Sequence, residues 1–237
     1  MKIVAIGGGK LRNNETFKID SEIVRLTGKR RPNALFIPTA SGDDEEYCGA
    51  FDKVYGDRLN CHTDHLLLLR SPEQRRQARK MILNADLIYV GGGNTLRMMK
   101  LWRRLGIDRH LRSAGHNGTV LCGLSAGAIC WHRWGHSDSR SFAGKQAWSY
   151  IRVTALGLVP GIYCPHLDGE KRHDSLVEMV KRVGGFAIAS DNHSAVVYEG
   201  NNIRCISSRR KSRSYLYRKT AHGVEVTGFK DGQAIRF

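Results

Sequence analysis

The segment Gly123-Leu124-Ser125-Ala126-Gly127 combines a hydroxyl nucleophile with small residues two positions before it and two after it. It follows the apolar run Val120-Leu121-Cys122 and precedes Ala128-Ile129-Cys130-Trp131. This is G-x-S-x-G in a strand-turn-helix context, the pattern of a nucleophile elbow. A serine on so sharp a turn has a strained backbone and small neighbours, and its hydroxyl projects above the sheet edge. The N–H of Ala126 then points toward an oxyanion developing on an attacked carbonyl. An ordinary glycine-rich turn with an incidental serine fits the five residues alone equally well, so the neighbouring chemistry decides.

A second glycine turn, Gly91-Gly92-Gly93-Asn94-Thr95, follows the apolar run 87–90. Leu96 breaks the G-x-G-x-x-G spacing and no P-loop lysine follows, so phosphate binding is the weaker reading. Both turns belong beyond the carboxyl ends of parallel strands, where sites gather in open α/β sheets. An N–H near Gly93 is therefore the expected second oxyanion donor beside Ala126. Among ten histidines, His166 stands out, because Pro165 before it restricts the approach of the chain. His132 and His136 compete by nearness to Ser125. His132 is discounted, because a helix continuing from the elbow would point it away. An acid must orient the base, and Asp138, Asp168 and Glu170 all remain open for that role.

The elements that must hold these residues follow from periodicity. Apolar runs at 3–6, 34–37, 65–69, 87–90, 119–122 and 186–189 read as strands. Ser71-Pro72-Glu73-Gln74 reads as a capped helix start, with Gln74 closing a capping box. Met98, Met99, Leu101, Trp102 and Leu105 follow a helical period and read as core. Continuous apolar strands alternating with helices imply a parallel sheet covered on both faces. Short segments at 195–198, 203–206 and 214–218 are expected as hairpins on one sheet edge, with the basic stretch 207–213 as an exposed turn. No linker or repeat interrupts the 237 residues, so a single domain over 1–237 is expected.

Composition sets the outer bounds. Lys and Arg number 38 against 22 Asp and Glu, a net charge of +16. The charge is scattered and no nucleic-acid motif accompanies it, so nucleic acid is not the expected partner. No apolar run reaches the ~20 residues of a membrane span, and the glycine-rich start is unlike a signal peptide. The six cysteines lack zinc spacing and read as reduced core residues of a cytoplasmic protein. No cofactor or metal is expected. A homodimer is left open.

Taken together, Gly91-Gly92-Gly93-Asn94-Thr95, Gly123-Leu124-Ser125-Ala126-Gly127-Ala128, Ser137-Asp138-Ser139 and Cys164-Pro165-His166-Leu167-Asp168-Gly169-Glu170 resemble the aspartyl dipeptidase (peptidase E) family of serine peptidases, related to cyanophycinases. The likeness includes Phe36-Ile37-Pro38-Thr39-Ala40-Ser41 and runs from about residue 2 to residue 218. It implies an α/β fold like that of class I glutamine amidotransferases, with a mostly parallel sheet, flanking helices and antiparallel edge strands near the C-terminus. It implies Ser125 as nucleophile and His166 as base. Asp138 aligns roughly with the family's aspartate at a shorter spacing from the serine, with Glu170 as the alternative acid. Arg140, Lys171 and Arg172 are near enough to meet an acidic substrate. The resulting expectation is a peptidase for small peptides, above all dipeptides with an acidic first residue. Its rivals are cyanophycinase-like or other amidase or esterase activity, and a non-catalytic binding protein with a basic surface.

Overall fold

The computed structural model describes residues 1–141, 149–169 and 172–236. Glu170 and Lys171 therefore lie outside the described residues. Seven strands form the first sheet. Five are parallel: β1 (Lys2–Ile6), β5 (Val120–Leu124), β4 (Leu87–Val90), β2 (Asn33–Ile37) and β3 (His62–His65), side by side in that order. Beyond β1, β10 (Ser194–Glu199) and β11 (Asn202–Ser207) add an antiparallel hairpin at the edge, as the sequence predicts.

Both faces of this sheet are buried, and side chains alternate between two cores. Ile3, Ala5, Ile88 and Val90 face the core built with Met98, Trp102 and Leu111. Val4, Ile6, Tyr89 and Cys122 face the core built with Ile19, Ile23, Phe51 and Tyr55. The first of these cores contains α3 (Pro72–Asn84), α4 (Thr95–Leu105) and α5 (Ile107–His116); the second contains α1 (Phe17–Leu26) and α2 (Glu45–Phe51). The chain therefore leaves β1 toward one face and β5 toward the other. The neighbouring ends of β1 and β5 form a topological switch point, where a crevice opens outside the carboxyl ends.

A second sheet was not anticipated. Its order is β13 (Gly223–Phe229), β12 (Ser214–Thr220), β9 (Phe186–Ser190), β8 (Val159–Cys164), β6 (His132–Ser137) and β7 (Ile151–Thr154). β12 joins this sheet rather than the edge of the first. α7 (Arg172–Val183) covers it through Leu176, Met179 and Val180. Buried hydroxyls join the two sheets: Ser214 Oγ lies 2.9 Å from Ser190 Oγ and 3.0 Å from Ser194 Oγ. Tyr163 Oη also donates to the Ala5 carbonyl at 2.9 Å.

Three local expectations change. The strand predicted at 65–69 ends at His65, because the Asp43 carboxylate accepts the N–H groups of Leu69 and Arg70 and turns the chain. Ser71 caps α3 as predicted, but Gln74 reaches back to the N–H of Leu67 instead of closing the capping box on Ser71. His132 lies on β6, not on a helix, because the elbow helix α6 (Ala126–Ile129) stops after one turn. The carbonyls of Cys130, Trp131 and His132 are taken by the N–H groups of Leu156, Val159 and Gly157, which pull the chain into the second sheet.

Candidate active site

Ser125 sits between β5 and α6 with φ 56° and ψ −110°, a conformation that costs a non-glycine residue energy and persists only where surrounding structure imposes it. The packing that imposes it accounts for the flanking glycines. A Cβ on Gly127 would lie 2.0 Å from the Val90 carbonyl oxygen, and one on Gly123 would lie 2.5 Å from that of Gly127. The turn is pressed against β4 so closely that no side chain fits at either position. The Ser125 N–H is anchored on the Ile6 carbonyl at 3.0 Å, at the end of β1.

His166 hangs from the next residue of the same strand end. Its N–H donates to the Gly7 carbonyl at 3.2 Å, and its φ is 53°. The ring occupies space that Gly8 leaves open, since a Cβ on Gly8 would fall 2.3 Å from His166 Nδ1. Successive carbonyls of one strand end thus fix the backbones of Ser125 and His166. His166 Nδ1 lies 2.7 Å from Asn192 Oδ1, and Asn192 Nδ2 donates to Asp168 Oδ1 at 2.9 Å. Asp168 Oδ1 also accepts the Asn192 N–H at 2.8 Å.

Asp138 lies elsewhere. Its carboxylate pairs with the guanidinium of Arg172 at 3.5 Å. Arg172 is buried, donates to the His136 carbonyl at 3.2 Å and covers the Tyr150 ring. This places Arg172 under the second sheet and not at the mouth of the site. The rival histidines are buried with it. His136 bonds Ser175 Oγ at 2.9 Å through Nε2, and its pKa is pushed down to about 3 by burial and by Arg172. His132 uses both ring nitrogens, on the Ala128 carbonyl at 3.0 Å and on Tyr198 Oη at 2.9 Å, and burial lowers its pKa to about 3.

The glycine turn after β4 does approach the serine. A Cβ on Gly92 would be 3.5 Å from Ser125 Cβ, whereas Gly93 lies against the Ala40 carbonyl, 2.2 Å from where its Cβ would be. Gly92 N–H is directed at Tyr47 Oη at 3.4 Å. Among the described residues, the N–H groups of Gly93 and Ala126 make no hydrogen bond within the chain. The start of α4 is not an anion site, since Asn94 Oδ1 and Ser139 Oγ take the N–H groups of Arg97 and Leu96.

Two cavities flank this strand end and share Gly9 and Lys10. One, of about 380 Å³, is lined by Gly92 and Leu124 with Arg12, Asp44, Glu46 and Tyr47. The other, of about 670 Å³, is lined by His166, Asp168 and Asn192 with the basic turn from Arg209 to Lys211.

A strained elbow serine and a histidine held on one strand end, with cavities on either flank, mark this end of the α/β fold as the candidate site. The chain belongs to peptidase family S51, whose model matches residues 3–206. It is 32% identical over 229 residues to the uncharacterized peptidase YgaJ of Bacillus subtilis, 94% of each chain being covered. Its fold is similar to that of a peptidase from an acI-B1 Actinobacterium, with a TM-score of 0.79 and 17% identity over 100% of this chain and 96% of that one. A protein from Listeria monocytogenes EGD-e that carries the peptidase E name matches with a TM-score of 0.66 and 19% identity, over 88% of this chain and 98% of that one. The protein is a serine-type peptidase, with a mostly parallel sheet flanked by helices. Among the described residues no helix is long and apolar enough to cross a membrane.

Asn192 is the site residue that sequence reasoning missed. It lies within Asp191-Asn192-His193, which reads as an ordinary turn, and 26 residues separate it from His166.

Proposed function

We propose that this peptidase releases an acidic N-terminal residue from short peptides, dipeptides above all, through an acyl-enzyme on Ser125. The observation that carries the reading is that the strained backbone of Ser125 and the backbone of His166 hang on consecutive carbonyls of one strand end. In this scheme Ser125 Oγ attacks the peptide carbonyl while its proton passes to His166 Nε2. The C–N bond then breaks as that proton moves to the leaving nitrogen, and water, deprotonated by the same imidazole, hydrolyses the ester. The N–H groups of Gly93 and Ala126 receive the oxyanion. Asn192, backed by Asp168, takes the orienting position at Nδ1, the role for which the sequence leaves Asp138, Asp168 and Glu170 open.

The preference for an acidic first residue is supported by the smaller cavity. Lys10 and Arg12 offer positive charge to a side-chain carboxylate, and Asp44 and Glu46 offer negative charge to an α-ammonium group. Charge of both signs in one pocket suits an amino acid that itself carries both. The test is kcat/KM on Asp-Ala, Leu-Ala, N-acetyl-Asp-Ala and β-Asp-Arg, with fluorophosphonate labelling of Ser125. The reading expects Asp-Ala to be favoured and labelling to be lost in Ser125→Ala. Equal turnover of Leu-Ala would remove the acidic preference. Preferred cleavage of β-Asp-Arg would shift the assignment to isopeptides.

A further inference from the structure

The larger cavity extends the site on the side of His166, and its wall is the turn that follows β11. Hydrogen bonds hold that turn to the loop carrying Asn192. Ser208 N–H donates to the His193 carbonyl at 2.8 Å, Arg213 N–H to Asp191 Oδ2 at 2.9 Å, and Asp191 N–H to the Arg213 carbonyl at 3.0 Å. Within the turn, Ser212 N–H closes onto the Arg209 carbonyl at 3.1 Å. Arg209, Arg210 and Lys211 are thus presented by a segment pinned to the residues on either side of Asn192, which bonds His166.

The charges of this cavity are unequal in kind. Its two carboxylates are already occupied. Asp168 accepts two donors from Asn192, and Glu15 accepts the Lys10 N–H at 2.8 Å. Burial works against the charge on Glu15, but its hydrogen bonds and the nearby His193 and Arg209 hold its pKa below the ordinary value. By contrast, the side chains of Lys10, Arg209, Arg210 and Lys211 make no hydrogen bond or ion pair among the described residues. Four exposed cations therefore line this cavity with their side-chain donors unspent.

Chemistry assigns this side of the site. The group that takes the serine proton must return it to the leaving nitrogen, so the leaving residue lies on the side of His166. We propose that the Arg209–Lys211 turn forms a carboxylate subsite for the residue released as the amine, with Lys10 left to the smaller cavity that it also lines. This rests on the acyl-transfer reading above and extends it. The preferred substrate then carries negative charge at both ends of the scissile bond. The leaving residue's carboxylate comes either from its own C-terminus, as in a dipeptide, or from an acidic side chain.

The measurement is kcat/KM for Asp-Ala, Asp-Ala-amide and Asp-Glu-amide, with the protein as it stands and with Arg209→Ala, Arg210→Ala and Lys211→Ala combined. Exposed, screened cations predict about a tenfold preference for Asp-Ala over its amide. The preference should fall to near one in the triple variant and fade with added salt. Recovery by Asp-Glu-amide would identify the side-chain carboxylate as a source; no recovery would restrict the subsite to a C-terminus. Equal values for all three peptides, or a preference that survives the triple variant, overturn the proposal. Calorimetric binding of the same peptides to Ser125→Ala reads the subsite without turnover. If the peptides bind with the predicted order yet none is hydrolysed by the wild type, the acyl-transfer reading fails and the subsite stands. Should the triple variant not fold, the salt dependence of the wild-type preference and the single variant Arg210→Glu decide in its place.

Discussion

His166 Nδ1 and Asn192 Oδ1 lie 2.7 Å apart, and this bond sets the tautomer of the ring. The amide orientation follows from its other contact, because the Asp168 carboxylate at 2.9 Å can only accept and must face Nδ2. Oδ1 then faces the ring and also only accepts, so Nδ1 carries the proton and Nε2 is the nitrogen with the lone pair. Asn192→Ala should lower kcat on the order of 10²-fold with a smaller change in KM. Asp168→Asn should have a weaker effect in the same direction, by loosening the amide. Circular dichroism must show both variants folded. A folded Asn192→Ala enzyme with unaltered kcat would return the orienting role to another group.

Asp138 offers the complementary test. Its partner Arg172 is 1% exposed, so Asp138→Asn leaves a buried guanidinium with less compensation. We expect a loss of roughly 2–4 kcal/mol of stability, with kcat/KM of the remaining folded protein changed by no more than a few-fold. Removing a triad carboxylate instead costs about 10⁴-fold in kcat with the structure intact. Thermal melts and steady-state kinetics on one preparation separate the two outcomes. A normal Tm with a collapse in kcat would make Asp138 the acid after all. Ser125→Ala is the reference, with activity lost on the order of 10⁴-fold or more and Tm retained.

The two glycines after β4 predict opposite phenotypes. Gly93 has φ 134° and no space, since its Cβ would meet the Ala40 carbonyl oxygen at 2.2 Å. Gly93→Ala should therefore destabilise the fold by about 2 kcal/mol or more. At Gly92 the nearest atoms would be Leu124 Cδ2 at 3.3 Å and Ser125 Cβ at 3.5 Å, which a methyl group tolerates with a small shift. Gly92→Ala should keep Tm within a few degrees and lose activity, because the methyl group stands beside the nucleophile. A stable and fully active Gly92→Ala would show that substrate does not pass on that side.

What could be read in advance follows the range of the interactions. The elbow and the cap at Ser71 are local, and each is written in adjacent residues. The apolar runs that became β1, β2, β4 and β5 of the first sheet and β9 of the second were legible, and so was the short segment of β12; polar β3 and the second sheet as an assembly were not. In the second sheet, strand β8 contains Pro160 and Gly161, with φ 83° at the glycine, and His132 on β6 sits in what reads as a helix continuation. Tertiary bonds from residues 156–159 end that helix, and no local signal announces them. The site divides the same way. Ser125 and His166 carry recognisable neighbours. Asn192 gains its place only when β9 and β10 bring their connecting turn beneath the base.

Asp20 gives a prediction in pH. It is fully buried on α1 with no ion pair to it among the described residues, held by Thr16 Oγ1 at 2.8 Å and Tyr55 Oη at 2.9 Å. Burial outweighs those two hydrogen bonds and raises its pKa from 3.8 to about 7. Between these values the folded protein keeps a proton that the unfolded chain has released. Stability from this group is therefore present at low pH and declines as pH rises through the window from about 4 to about 7. Asp20→Asn stays neutral throughout and keeps a hydrogen-bonding amide in the same space. The Tm of the variant relative to wild type should rise between pH 5 and pH 8 by several degrees, taking about 1.4 kcal/mol for each pKa unit traversed and ~2–4 °C per kcal/mol for a chain of this size. Differential scanning calorimetry at pH 4, 5, 6, 7 and 8 measures it directly. A Tm difference that stays constant across that range would mean that Asp20 keeps its charge in the folded protein, and that the burial of its carboxylate is compensated by a group not facing it here.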